Sequence, residues 1–323
     1  MKTIRTKGPT YFIATNWDYI GLPFIFLFIF LIFSVLSPLF RLPFNLISNV
    51  KFSTFVAIGS VGMVFVIAVG EFDISIGSML SLVACVGSSL LPSIGGISIL
   101  ITILFAGFLG FVNGIFVTKL RIPAFITTLG MLYIYRAFAY IYTDNNPIYI
   151  QNKTWLFVGN GKIAGIPFPI IIMAICFFIG YIILRKMPFG RHVLAVGSNS
   201  DAAKLSGIDV DKTKTIASTI LGLFVGIAAV VISANLGSAN PGHLGQGYEF
   251  QVIPAVILGG TVLGGGTASL FGAFFAAMIV TFLKNGLGVQ QVDSYWQFVA
   301  TGLVLIFAVA INRVRFTLLG QRE

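Results

Sequence analysis

From Phe52 to Thr118 the chain carries no lysine and no arginine, and Glu71 and Asp73 are its only charged residues. Over the whole sequence hydrophobic residues make up 57% and charged residues 9%, where a soluble domain carries roughly 25% charged residues. Such a chain is an all-α polytopic integral membrane protein. Its net charge of +10 gives no sign of nucleic-acid binding, because no basic stripe is interleaved with exposed aromatics. Cys85 and Cys176 both lie in apolar runs, where a free cysteine behaves as a small hydrophobe, and neither a disulfide framework nor metal-ligand spacing is present.

A span needs about 20 apolar residues, which predicts about ten transmembrane helices, near 19–38, 52–70, 74–92, 97–118, 123–142, 167–184, 214–235, 250–262, 267–285 and 295–312. The first begins too far from the N-terminus, and is too long, to be a cleaved signal. The eighth is too short to cross alone and is expected to be tilted or broken. With the N-terminus inside, the cytoplasmic segments are 1–18, 119–122, 185–213 and the tail from Asn312. Together with Lys214 they hold fourteen of the twenty lysines and arginines. Arg41, Lys51, Lys153, Lys162 and Lys284 fall outside, and Arg136 lies inside the fifth span. This asymmetry satisfies the positive-inside rule, places both termini in the cytoplasm, and makes residues 1–323 one transmembrane domain.

Enzyme chemistry is poorly represented. The two histidines, His192 and His243, stand in different loops, carboxylates are not clustered, and there is no GxxxxGK[ST] with which to bind ATP. Two interruptions of the hydrophobic pattern are more informative. One is "AVGEFDISIGS", residues 68–78. The other is "ILGGTVLGGGTAS", residues 257–269, which contains Gly259, Gly260 and Thr261. Gly70 and Gly77 are seven residues apart, as are Gly259 and Gly266, and a hydroxyl residue follows each second glycine. Paired Gly-broken segments mark the pathway of many transporters, since unwound backbone is tolerated at depth only beside a cavity. Two tight cytoplasmic turns between hairpins would give the same pattern.

The long inside loop carries a second feature. Asn199 or Ser200 can N-cap a short helix through Asp201, Ala202, Ala203, Lys204, Leu205 and Ser206, and Gly207 supplies the left-handed residue that ends it. The result is a compact knob, small on one side, suited to a groove on a cytosolic partner.

Four motifs in order then carry a resemblance: "GEFDISIGS", "RIPAFITTLGMLYIYRAFA", "GRHVLAVGSNSDAAKLSGIDVDKTK" and "GYEFQVIPAVILGGTVLGGGTAS". From about Phe44 to Asn312 the chain resembles the membrane permease subunits of ribose-type (monosaccharide) bacterial ABC importers. The resemblance implies a non-catalytic transport subunit with no cofactor of its own. It implies as partners a second permease copy, a cytosolic ABC ATPase with two fused nucleotide-binding domains that carries the ATP and Mg, and an extracytoplasmic sugar-binding protein. Carried over residue by residue, the ATPase contact falls on Asn199 through Gly207. Glu71, Ala137 and Pro254 depart from the commonest pattern, and Pro254 is expected to kink or end its helix.

Glu71 and Asp73 are expected either to hold the first break in place or to line the sugar path, with Arg136 as a partner for one of them. Ser75, Gly77, Ser78, Asn113, Thr127 and Thr128 are milder candidates for the path or its support. The spacings Gly110/Gly114 and Gly222/Gly226 predict close helix packing. A secondary transporter with Asp73 and Glu71 as an ion site is the rival reading.

Overall fold

The computed structural model describes residues 17–319, so the basic N-terminal residues Lys2, Arg5 and Lys7 lie outside the described part, as does Arg322. The described chain is a helical bundle. After a π-helical turn at Trp17–Gly21 come α1 (Leu22–Leu36), α2 (Pro43–Ala68), α3 (Ile76–Ser89), the single-turn α4 (Leu91–Ile94), α5 (Ser98–Thr118) and α6 (Ala124–Thr143). There follow α7 (Lys153–Asn160), α8 (Phe168–Tyr181), α9 (Pro188–Ser198), α10 (Ser200–Leu205), α11 (Val210–Leu236), α12 (Glu249–Leu258), α13 (Leu270–Val289) and α14 (Ser294–Leu319).

Among the described residues, seven helices are long and apolar enough to cross a membrane, while α3 and α12 are apolar but shorter. The break after α2 shortens α3, and α12 has 10 residues where a span was expected over 250–262. Pro254 lies inside α12 and does not end it; the missing donor is absorbed within a helix that already stops four residues later, at the Gly259 turn.

The centre of the bundle is built from α2, α5 and α11, and α1 lies at its margin. Small residues let the central helices touch backbone to backbone. A Cβ on Gly114 would stand 2.8 Å from the Thr215 Cα, one on Gly226 2.8 Å from the Ile103 Cα, and one on Gly62 2.7 Å from the Leu221 Cα. The glycine spacings read as packing are therefore packing. The outer faces carry exposed Phe24, Phe28, Val35, Phe44, Tyr133 and Ile141, which suits contact with lipid tails. Away from the bundle centre, α7 is N-capped by the Asn152 side chain and buries Trp155, whose indole donates to the Ser233 hydroxyl at 3.2 Å. Two short antiparallel pairs, β1 (Ile148–Tyr149) with β4 (Ser238–Ala239) and β2 (Lys162–Ile163) with β3 (Ile166–Pro167), tie down the segments at this end.

Candidate functional site

The first break comes out as a closed polar knot. Gly70 takes a positive φ of 86°, ending α2 and turning the chain so that Asp73 faces inward, 3% exposed. Asp73 Oδ1 accepts from the Ser75 amide (2.7 Å) and hydroxyl (2.6 Å), and its Oδ2 accepts from Asn113 Nδ2 (2.8 Å). Asn113, on α5, in turn accepts from the Tyr135 hydroxyl of α6 at 2.7 Å. This chain of bonds joins the break to two spans. The space among Glu71, Asp73, Asn113, Thr128 and Lys214 is only about 10 Å³. Thr128 bonds back to the Ala124 carbonyl, Thr127 and Ser78 are buried, and the Thr127 hydroxyl has no partner.

The acids pair differently from expectation. Glu71 is bonded to Lys214 of α11, and Asp73 is satisfied by Ser75 and Asn113. Arg136 reaches neither. Its guanidinium donates to the backbone carbonyls of Pro241 (2.6 Å) and Leu244 (2.9 Å). The reason is a third break. Residues 240–248, between β4 and α12, are not helical, yet they run beside α3 at depth: the Ser81 hydroxyl donates to the Pro241 carbonyl, and Gly77 lies against Gly245 and Glu249. Carbonyls freed at depth need donors, and Arg136 supplies two. The density of glycine and proline in this segment was the available signal.

Arg136→Met is accordingly expected to destabilise the protein by about 1–3 kcal/mol per orphaned carbonyl, read as thermal unfolding in detergent. Combined with Glu71→Gln, the losses should add to within about 0.5 kcal/mol because the two residues share no partner. A strong coupling between them would restore the ion pair.

The second Gly-rich stretch meets the first. Gly266 donates its amide to the Ala68 carbonyl at 2.9 Å. A Cβ on Gly265 would stand 2.8 Å from both the Gly70 nitrogen and the Gly197 Cα. Gly259 packs against Gly272 and Ala273 of α13, Gly260 has a φ of 96°, and buried Thr261 accepts from the Ser269 amide at 3.3 Å. The two stretches and the end of α9 thus form one glycine junction.

That junction seats the knob. Only Asn199 separates α9 from α10. Asn199 Oδ1 caps α10 by accepting from the Ala202 amide at 2.9 Å. At the other end Ser206 closes the helix, Gly207 has a φ of 83°, and the Ile208 amide donates to the Ala203 carbonyl at 3.0 Å, the six-residue bond of a Schellman cap. Ser200, Asp201, Ala202, Lys204 and Leu205 are exposed, with Leu205 at 90%, whereas Ala203 is buried. The small face expected to meet a partner is divided: Ala203 packs inward, and the outward tip is Leu205. Asp209 then caps α11 through the Lys212 amide, and Arg121 forks onto Asp211 with both bonds at 3.0 Å. Two caps and an ion pair make the knob a stiff extension of α11.

Helices clad in apolar side chains around sealed polar breaks define a multi-pass membrane protein of the bacterial cytoplasmic (inner) membrane. Residues 45–309 match the family described as "Branched-chain amino acid transport system / permease component", and the chain belongs to that family. It is 35% identical over 298 residues to the ribose import permease protein of Bacillus subtilis (strain 168), covering 90% of this chain and 92% of that protein. It is 31% identical over 297 residues to the L-arabinose ABC transporter permease protein of Azospirillum brasilense (91% and 87%). With the D-allose transport system permease protein of Escherichia coli (strain K12) it shares 33% over 325 residues, 97% of each. No solved structure matches the chain.

Proposed function

We propose that this chain is the membrane subunit of an ATP-driven importer of a monosaccharide. Two copies form the translocation path, a cytosolic ATPase with two fused nucleotide-binding domains and its ATP and Mg drives it, and an extracytoplasmic binding protein delivers the sugar. The chain spans the membrane ten times, the short α3 and α12 and the last helix counting as crossings or parts of them, with both termini and the knob in the cytoplasm. It supplies the path and the coupling element and no catalysis. The observation that carries the coupling is α10: a helix capped at both ends, seated on the glycine junction, with an unpartnered leucine at its tip. A leucine held 90% exposed on a rigid base is poorly placed for a free surface and well placed for a socket. Lys214 already neutralises Glu71 through its Oε1, which weighs against the ion-gradient reading.

Leu205→Asp is expected to leave membrane insertion and thermal stability unchanged and to abolish co-purification with the ATPase, since it alters only the exposed tip. Normal ATPase stoichiometry in that variant would remove the docking assignment. Ala203→Asp should instead collapse the knob, because it places a charge where a methyl is buried. Uptake that persists without the ATPase and collapses with an ion gradient would overturn the importer reading.

A further inference from the structure

At the end of the bundle away from the knob, α2, α11, α12, α13 and the 240–248 break enclose a cavity of about 390 Å³. Its size is that of a small-ligand site. None of the residues identified from the sequence as path candidates lines it. Its polar lining is Asn49, Gln246, Gln251 and Asn285, with Thr281 beside them and exposed Lys284 at its edge. Phe52, Phe55 and Tyr248 supply aromatic surface. The Tyr248 hydroxyl is held by the Phe55 carbonyl at 2.6 Å, which fixes its ring.

The amides are oriented by one another. Asn285 Oδ1 accepts from Asn45 Nδ2 at 3.1 Å and from Asn49 Nδ2 at 2.8 Å, while Asn285 Nδ2 donates to Asn45 Oδ1 at 3.2 Å. Asn45 and Asn285 are thereby reciprocally satisfied. Asn49, fully buried, has spent its amide on Asn285, and its Oδ1 has no partner. A flip of Asn49 would set its oxygen against the Asn285 oxygen, so the network locks the unfilled acceptor in place. That oxygen lies just behind the cavity wall with no accessible surface of its own, so a donor from the cavity meets it only when the Asn49 side chain swings outward. Among the described residues no aspartate or glutamate lines the space, so a cation or an ammonium group would find no counter-charge there. Paired amide donors and acceptors beside aromatic faces suit an uncharged polyhydroxylated molecule. The unwound 240–248 backbone points the same way, because non-helical backbone at membrane depth is tolerated where it lines a water-filled cavity.

We infer that this cavity is the outer vestibule of the sugar path, in which Gln246, Gln251 and Asn285 bond the hydroxyls of a neutral monosaccharide and buried Asn49 supports Asn285 from behind. The inference rests on the sugar-importer reading above. It is tested with the complete complex in proteoliposomes, using Gln246→Cys and Gln251→Cys in turn; the native Cys85 and Cys176 are buried and serve as internal controls. Externally added, membrane-impermeant methanethiosulfonate is expected to modify both cysteines and to stop ATP-dependent uptake of labelled ribose, arabinose or allose, whichever the wild type carries. A saturating concentration of that sugar with its binding protein should slow modification of Gln251→Cys. The same reagent on Lys153→Cys, exposed on the outer side and not part of the cavity lining, should leave uptake intact. Intact sugar uptake by a modified Gln251→Cys, or no modification at all, would overturn the vestibule while leaving the importer reading standing. Wild-type uptake of leucine in place of any sugar would overturn the sugar reading, and the vestibule's ligand with it.

Discussion

Asp73→Leu is expected to abolish transport and to lower thermal stability, while Asp73→Asn keeps appreciable uptake. The leucine leaves the buried Ser75 amide and hydroxyl without an acceptor and takes from Asn113 Nδ2 one of its two, leaving it only the Ser75 Oγ at 3.0 Å. Each orphaned donor costs about 1–3 kcal/mol, a large share of a typical folding free energy of roughly 5–15 kcal/mol. Asparagine keeps Oδ1 for the Ser75 amide and turns its own amide toward Asn113, while the Ser75 hydroxyl re-aims to donate to Asn113, whose amide end lies 3.0 Å away. Asn113 can answer by flipping, provided the Tyr135 hydroxyl stops donating to it and turns to the Leu109 carbonyl, which already lies 3.1 Å away. The network therefore has a second satisfied state for an amide and none for an alkyl group. The rescue is expected to fail in Asp73→Asn/Tyr135→Phe, where no hydroxyl remains to accept from the flipped Asn113. Uptake in ATP-loaded proteoliposomes and unfolding in detergent measure both effects. An asparagine variant as inactive as the leucine one, with a wild type that follows an ion gradient, would assign Asp73 to an ion.

Gly197→Val is expected to uncouple the ATPase from the spans. A Cβ at position 197 would overlap the Ala68 carbonyl and the Gly266 amide, the same two residues that are hydrogen-bonded to each other across the junction. Neither contact is the end of a flexible side chain, so backbone must move. Overpacking of this kind costs typically about 1–3 kcal/mol. The larger effect is mechanical: α10 remains capped and its tip remains exposed, but its seat on both bends is lost. The expected phenotype is ATPase binding with little sugar uptake, the reverse of Leu205→Asp, which should lose binding with the seat intact. Normal coupled uptake by Gly197→Val would show that the junction transmits nothing.

The spans were legible because lipid imposes a length and a polarity on every crossing, and those are properties of a single segment. The knob was legible for a similar reason: Asn199 and Gly207 act on backbone groups within a few residues of themselves. The pairing of the acids was not. Glu71 and Lys214 are 143 residues apart, and nothing in either neighbourhood distinguishes Lys214 from Arg136 as a partner. Both are cations near apolar runs, and only the packing of α5, α6 and α11 decides which carboxylate each one meets. The 240–248 break was read as a connection between spans because glycine and proline signal a turn without signalling its depth. Asn49 and Gln251 escaped notice for a different reason. Each is a lone amide in or beside an apolar helix, a pattern shared by helix-packing residues, and only the orphaned oxygen of Asn49 separates the two cases.

The glycine junction also has an order in time. Its three contributors, Gly70, Gly197 and Gly265, are separated by long stretches of chain, so the ribosome releases the first bend, then the strut that bears the knob, and only much later the bend that locks them. Until residues 264–266 have emerged and α13 has begun to insert, the Ala68 carbonyl has no amide to meet and the knob has no complete seat. The last third of the chain thus finishes a structure that the first third began, and a nascent or truncated chain carries the exposed Leu205 tip on an unfinished base.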